Sequence, residues 1–320
     1  MSKIKGQKGL FVFSDPAGAK ACLALAKSFK QKTLLIISDR KYSFYSEFNI
    51  MVNNSNDRSI LEWYDFFDPD FVFTGTSLPA KIELGFLIEA KSRKIKTYSF
   101  VDHWTNISKR FKSFEEYIYP DEIWLIDDSA KEIAINEGVK ENIISVSGNP
   151  YYDYLKTWKP NTSKEKLMNS IGLKKNEKYI LYAVQPITSF NLEEKYGFDE
   201  LSGLKYLLRS LDGLESKNIK IIIKLHPNQN KTIFLDFIKK IKSDRILLLD
   251  DFDINSLIYF SEIVVGYFSN SLIEANIMKK NILRVLIDLT DEKLDSLKIL
   301  NIGNVIYDMK DLNHQLKKII

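Results

Sequence analysis

Twice in one stretch of the chain, an apolar β-branched run stops abruptly at polar residues. The first is Ile-Ile-Ile-Lys-Leu-His-Pro-Asn (221–228) and the second Gly-Tyr-Phe-Ser-Asn-Ser-Leu-Ile-Glu-Ala (266–275). Runs of this kind read as buried strands, and the polar residues that end them as exit loops. The pattern predicts a strand over 219–223 with Lys224 to Asn228 as its loop. It predicts a second strand over 263–265, an exit loop over 266–270 and a helix from Ser271 to Met278. Strands separated by a helical crossover belong to a parallel sheet, and in open sheets of that class ligands bind outside the carboxyl ends of the strands. His226, Ser269, Asn270 and Ser271 are therefore expected in one crevice.

Such a crevice has a definite chemistry. Ser269 and Ser271 offer hydroxyl donors, and a helix start offers free backbone N–H groups, which together make an anion site. His226, with Pro227 fixing the turn, can donate to a phosphate oxygen of a leaving nucleotide. Glu274, one turn into the helix, can accept from ribose hydroxyls. The alternative reading is plain: Ser-Asn-Ser before an apolar helix is also an ordinary N-cap, and His-Pro an ordinary turn.

The remaining numbers narrow the class. With 320 residues, 45% hydrophobic and 28% charged, the chain is long enough for two soluble domains. A net charge of +4 without an arginine-rich arm does not point to nucleic acid. The single cysteine, Cys22, lies among Ala and Leu, rules out an intrachain disulfide and reads as a buried thiol. There is no zinc-type Cys/His spacing, no signal-peptide pattern and no uncharged run near the ~20 residues of a spanning helix. A cytoplasmic protein is expected. The lysines at 239, 240, 242, 317 and 318 read as solvated faces, with peripheral contact to the inner membrane as the alternative.

The amino-terminal half opens as strand (9–13), small-residue loop (14–20), helix (21–29) and strand (33–37), a βαβ unit. The loop is neither a Walker A nor a full G-x-G-x-x-G sequence, but it leaves room for a ligand near Gly18 and places Asp15 beside it. A strand is expected over 48–52, a helix over 60–67, and a strand over 71–74 ending at Gly75-Thr76-Ser77. A helix over 84–91 follows, with Glu83 and Glu89 exposed. The strand 96–101 ends in Asp102-His103-Trp104, the most chemically loaded loop of this half. Asp102 is a candidate general base, or orients His103 for that work; the alternative is a loop that satisfies itself with Trp104 packed inward. Lys109, Arg110 and Lys112 read as attractants for an anion or as a solvated face. Strands at 121–126 and 143–146 flank a helix at 128–136. Ser147-Gly148-Asn149-Pro150 closes the half, with Asn149 a substrate-contact candidate and Pro150 breaking regular structure. The domain boundary is expected between Pro150 and Ser163, giving domains 1–155 and 160–320.

The second half restarts the pattern. A strand at 178–183 exits into a loop carrying Gln185, a further nucleotide-binding candidate. A helix over 200–211 precedes the 219 strand, a helix spans 233–241, and a strand spans 245–249. Asp250-Asp251-Phe252-Asp253 suggests a metal less than it suggests helix capping for 254–260. A strand at 281–286 and a helix at 312–319 end the chain. The fold class is α/β: two Rossmann-like domains facing a cleft.

Ser147-Gly148-Asn149-Pro150, His226-Pro227 after a strand, and Ser269 to Glu274 opening a late helix resemble GT-B glycosyltransferases and the related non-hydrolytic sugar epimerases. The His-Pro and Ser-x-Ser pair is most similar to bacterial sialyltransferases, polysialyltransferases and capsule glycosyltransferases, and the CDP-glycerol glycerophosphotransferases carry a similar His-Pro. The resemblance implies that His226, Ser269 and Ser271 hold the nucleotide's phosphate. Where those families have an acidic pair followed by glycine, this chain reads Asp102-His103-Trp104. It implies a metal-independent glycosyltransferase with no cofactor: a nucleotide-sugar, such as a CMP-linked nonulosonic acid, as donor and co-substrate, and a glycan or lipid-linked surface polysaccharide as acceptor. An epimerase or hydrolase, a CDP-glycerol-type transferase and a non-catalytic binding protein are the alternatives.

Overall fold

Strands form where both faces of an apolar run are covered, and β1 shows this directly: Leu10, Phe11, Val12 and Phe13 are fully buried. The computed structural model describes residues 4–79, 81–214, 218–225, 229–250 and 252–320. His226, Pro227, Asn228 and Asp251, all singled out above, lie outside the described residues. The chain divides into two units, Met1–Tyr154 and Leu155–Ile320.

The first unit runs β1 (Lys8–Phe13), α1 (Pro16–Ser28), β2 (Thr33–Ser38), α2 (Tyr45–Phe48), β3 (Asn53–Asn54), α3 (Ile60–Phe67), β4 (Phe71–Thr74), α4 (Ile82–Ser92) and β5 (Lys96–Val101). A small antiparallel hairpin, β6 (Lys112–Ser113) and β7 (Glu116–Tyr117), precedes β8 (Glu122–Leu125), α5 (Asp128–Asn136), β9 (Ile144–Val146) and α6 (Pro150–Thr157), the last running over the division. The sheet order is β3-β2-β1-β4-β5-β8-β9, all parallel, with Val12 opposite both Ile37 and Thr74. The order reverses between β1 and β4, and exit loops diverge at such a switch point.

The second unit runs α7 (Lys164–Ser170), β10 (Lys178–Ala183), α8 (Glu193–Tyr196), α9 (Glu200–Asp212), β11 (Ile219–Lys224), α10 (Lys231–Ile241), β12 (Ile246–Leu249), α11 (Ile254–Phe260), β13 (Ile263–Gly266), α12 (Asn270–Ile277), β14 (Asn281–Val285), β15 (Asn304–Ile306) and α13 (Met309–Ile319). Its sheet order is β12-β11-β10-β13-β14-β15, again parallel, with the switch between β10 and β13. Ile221, Ile223, Val265 and Leu283 pack with Leu204 and Leu207 of α9 and Leu312 and Leu316 of α13. Each such fully buried side chain contributes about 1.5–3 kcal/mol before entropy is counted.

Four expectations are corrected. Residues 48–52 are not a strand: α2 ends at Phe48, whose ring is buried against Tyr154, and only Asn53–Asn54 pairs with β2. Aromatic spacing there serves packing, not pleat. Pro150 does not break structure but starts α6, where its missing N–H costs nothing. Glu83 is not exposed but 3% accessible. Arg110 is not on a solvated face; it is buried beside Asp102. Among the described residues no helix is long and apolar enough to cross a membrane.

Candidate active site

In the first unit one carboxyl spans the switch point. Glu83, in the first turn of α4, accepts from the Ser14 backbone N–H at 2.9 Å and the Ser77 hydroxyl at 2.6 Å through Oε1, and from the Ser14 hydroxyl at 3.3 Å through Oε2. It thus joins the exit loops of β1 and β4. Burial pushes its carboxyl above the ordinary 4.5, against the pull of the Ser77 and Ser14 hydrogen bonds.

Asp102 follows β5, next to β4 in the sheet. Its Oδ1 lies 3.2 Å from Arg110 Nη1, and the same nitrogen faces the Thr76 hydroxyl at 3.4 Å and carbonyl at 3.5 Å. Arg110 therefore holds two exit loops together, while its Nε is buried without a hydrogen-bond partner among the described residues. Burial pushes Asp102 above its ordinary 3.8; Arg110 opposes the shift and Asp15 adds to it. The result is a carboxylate more basic than a surface aspartate.

His103 has one exposed edge, yet partial desolvation holds its ring below the ordinary 6.5, with Asp102 opposing and Arg110 assisting. Its Nδ1 accepts the Thr105 backbone N–H at 3.2 Å and lies 2.9 Å from the Thr105 hydroxyl. A backbone N–H can only donate, so this network assigns the proton of the neutral ring to Nε2. His103 thereby presents a donor, and Asp102 is the group suited to accept a proton. Trp104 packs on the apolar cluster around Ile107 and Phe111, and its indole N–H donates to Asp127 at 2.8 Å.

The other candidates of this half differ. Asp15 precedes α1 and pairs with Lys81 at 3.1 Å, both partly exposed at the same sheet edge. Gly18 packs on the β4 exit loop: a Cβ there would meet Gly75 Cα at 3.3 Å and Thr76 N at 3.4 Å. Its missing side chain lets α1 touch the β4 exit loop. Asn149 caps α6, accepting from Tyr151 N–H at 3.0 Å. Tyr42 donates to the Ser14 carbonyl at 2.8 Å, and burial with nearby Asp15 pushes its hydroxyl up to about 12.

In the second unit the switch point is again bridged. Gln185, leaving β10, accepts from the Phe268 backbone N–H at 2.8 Å, joining the two exit loops. Ser269 is the N-cap of α12 and accepts from Ser271 N–H at 3.3 Å. The capping and anion-binding readings are compatible, because a capping hydroxyl spends a lone pair and keeps its hydrogen. Asn270 is exposed, Ser271 half-buried and Glu274 6% exposed. Asp253 caps α11 through Asn255 and Ser256, and Asp250 pairs with Lys231. Among the described residues no group of three or more His, Cys, Asp or Glu is placed to hold a metal ion.

Glu83 and Glu200 were not read as site-edge groups from the sequence, and Arg110 was read as an anion attractant or a solvated face rather than as the partner of Asp102. Glu200 begins α9, is fully buried, and accepts from both the N–H and hydroxyl of Thr188 in the β10 exit loop. A glutamate at a helix start looks like dipole compensation in sequence, so only the packing distinguishes it.

No curated protein matches the sequence. Solved structures match in fold: a UDP co-structure of MnaA from S. aureus shares 14% identity at TM-score 0.64, covering 98% of this chain and 87% of that one. The UDP-GlcNAc 2-epimerase of Methanocaldococcus jannaschii shares 15% at 0.65, covering 98% and 92%. The UDP-GlcNAc 2-epimerase of Neisseria meningitidis, bound to UDP-GlcNAc, shares 14% at 0.65, covering 97% and 90%. The likeness spans both units and makes the fold GT-B in type. A family model, CDP-Glycerol:Poly(glycerophosphate) glycerophosphotransferase, matches residues 127–319. That match takes in α5, β9, α6 and the whole second sheet, including the bridged switch point and the capped α12. With well over half its length so matched, this chain belongs to the CDP-Glycerol:Poly(glycerophosphate) glycerophosphotransferase family of transferases.

Proposed function

We propose that the protein moves a glycerol-phosphate or closely related polyol-phosphate group from a cytidine nucleotide donor to a hydroxyl of a growing surface polymer. The observation that carries this reading is the family match over the unit that holds the Gln185–Phe268 bridge and the Ser269 cap. In this reaction the acceptor oxygen attacks the donor's terminal phosphorus, the bond from that phosphorus to the bridging oxygen breaks, and CMP leaves with the electron pair. Charge grows on the CMP phosphate. The Ser269 hydroxyl and the first N–H groups of α12 are pre-aimed donors for it, with His226 as a further donor. Asp102 takes the acceptor's proton, its basicity raised by burial and its carboxylate steered by Arg110. The Nε2–H of His103 donates to a substrate oxygen. No metal is assigned a role.

A second reading, sugar transfer from a UDP-sugar, is favoured by the fold's likeness to proteins whose structures contain UDP and UDP-GlcNAc; a CMP-linked nonulosonic acid is the donor the sequence resemblance implied. The acceptor in either case is a glycan or lipid-linked polymer met at the cytoplasmic face of the membrane. The deciding experiment offers the purified protein CDP-glycerol, CMP-N-acetylneuraminic acid and UDP-GlcNAc in turn, with EDTA, and measures nucleotide release with a poly(glycerol phosphate) acceptor. CMP release from CDP-glycerol alone supports the first reading. Turnover of a sugar nucleotide but not CDP-glycerol replaces it with the second, and an absolute Mg²⁺ requirement removes the metal-free mechanism.

A further inference from the structure

The exit loop of β13 is held from both faces of the second sheet. Leu283 and Val285 of β14 belong to the apolar cluster with α9 and α13, so the pleat turns Arg284 to the opposite face. A Cβ on Gly266, its register partner in β13, would meet Leu272 of α12 at 3.4 Å, so this is the face that α12 covers. There Arg284 donates from Nη2 to Oδ1 of Asp295, and each of the two side chains is only 1% exposed. The same Oδ1 accepts from the Leu297 N–H at 3.0 Å, which fixes the segment after β14. Arg284 Nε donates to the Tyr267 carbonyl at 3.3 Å. On the other face the Tyr267 hydroxyl reaches the start of α9, donating to the Asp199 carbonyl at 2.7 Å and accepting from the Gly203 N–H at 2.9 Å.

The Tyr267 carbonyl and the Phe268 N–H belong to one peptide unit, and a trans peptide is a rigid plane whose C=O and N–H point in opposite directions. The Phe268 N–H donates to Gln185 Oε1 at 2.8 Å. One peptide plane is therefore gripped at both ends, by an arginine of β14 on one side and an amide leaving β10 on the other. Turning the plane breaks both bonds at once, and the next residue along the chain is Ser269, the N-cap of α12. Stability alone does not account for the arginine. Taking a guanidinium and a carboxylate out of water costs about what their attraction returns, and apolar side chains of the same size fill such a place as well. What an apolar pair lacks is a donor that holds a carbonyl in one direction. We propose that Arg284, kept in place by Asp295, and Gln185 form a two-sided clamp on the Tyr267–Phe268 peptide and are positioning residues for the Ser269 hydroxyl and the first N–H groups of α12. Donors fixed before a phosphate arrives need no reorganisation as charge grows on it. The effect on ligand binding rests on the nucleotide-site reading above; the clamp itself does not.

The test uses the full chain and four variants: Arg284→Met with Asp295→Leu, Arg284→Lys, Gln185→Met, and Arg284→Lys with Gln185→Met. Calorimetry measures CMP affinity, and amide exchange follows the Phe268 N–H. The apolar pair removes both charges together and is expected to keep Tm within about 3 °C of wild type, while CMP binding weakens about tenfold. Arg284→Lys keeps a cation for Asp295 but loses the planar fork that serves two acceptors, and it should weaken CMP binding by a similar factor. It also carries the test where the apolar pair does not fold. In both Arg284 variants the Phe268 N–H is expected to exchange about tenfold faster or more, with Val264 and Val265 of β13 protected as in wild type. Because one plane is held, Arg284→Lys combined with Gln185→Met should lose about tenfold, not the roughly hundredfold of two independent contacts. Unchanged CMP affinity in the Arg284 variants overturns the positioning role, and a hundredfold loss in the combined variant overturns the shared clamp. If wild type binds neither CMP nor UMP, the nucleotide reading fails, and the Phe268 exchange rate alone decides the clamp: wild-type protection in Arg284→Lys overturns it.

Discussion

Single carboxyls at the first sheet's edge are shifted by burial, and the direction of each shift fixes a pH response. Glu83 has its carboxyl raised above 4.5 by burial. A raised acid favours the fold in its neutral form, so its stabilisation is complete below the ordinary value and is lost as pH rises through the folded value. In Glu83→Gln the Ser14 and Ser77 contacts keep an acceptor and the titration disappears. The Tm of wild type, measured from pH 4 upward, is expected to fall relative to that of Glu83→Gln; parallel curves would show that Glu83 ionises freely. Asp102 is raised for the same first cause, but the work proposed for it is kinetic. Asp102→Asn keeps the shape and removes the proton acceptor, so kcat should fall by about 10²–10⁴ with donor binding retained. The acid limb of the wild-type kcat/KM profile should lie above pH 3.8, the ordinary aspartate value. A variant as active as wild type would move the base elsewhere. Asp102 was visible in the sequence because it ends a strand beside His103. The pairing of Arg110 with it was not, because the two lie eight residues apart and only the fold brings Arg110 back onto Thr76.

At the scale of elements, the core strands and most helices were legible because β-branched runs and amphipathic spacing are local signals, whereas the short β3, β6, β7 and β15 were not. What misled was chemistry with two local meanings. Pro150 reads equally as a breaker or as a first helical residue, and Ser-Asn-Ser equally as a cap or as an anion site. For α12 the observed cap leaves the proposed anion site possible, and one substitution separates the two. Ser269→Asp keeps a capping oxygen for Ser271 N–H and favours the helix dipole. It also places a negative charge where the leaving phosphate would sit, at a cost of about 1–4 kcal/mol at contact distance. Thermal stability should therefore stay within a degree or two of wild type, while nucleotide affinity falls about tenfold or more. Ser269→Ala should instead lose about 1 kcal/mol of stability with a smaller effect on binding. If both variants bind CMP as wild type does, α12 caps and nothing more.

Across the whole molecule, the same device occurs twice. Each parallel sheet reverses its order once, and at each reversal a side chain crosses between the diverging loops: Glu83 from Ser14 to Ser77 in the first unit, Gln185 to Phe268 in the second. The two devices differ in charge, a buried acid against a neutral amide. That difference suits one edge to proton chemistry and the other to an anion, since a carboxylate beside a phosphate would repel it. Donor binding should accordingly register on the second edge. Amide exchange measured with and without CMP is expected to slow in the β10 exit loop and in residues 267–272, and to leave Ser14 to Gly18 and the Asp102 to Thr105 loop unchanged. A poly(glycerol phosphate) acceptor, added in a second experiment, should reverse the pattern. If CMP instead protects the Ser14 and Asp102 loops first, the division of labour between the two switch points is inverted, and Glu83 becomes part of the nucleotide site.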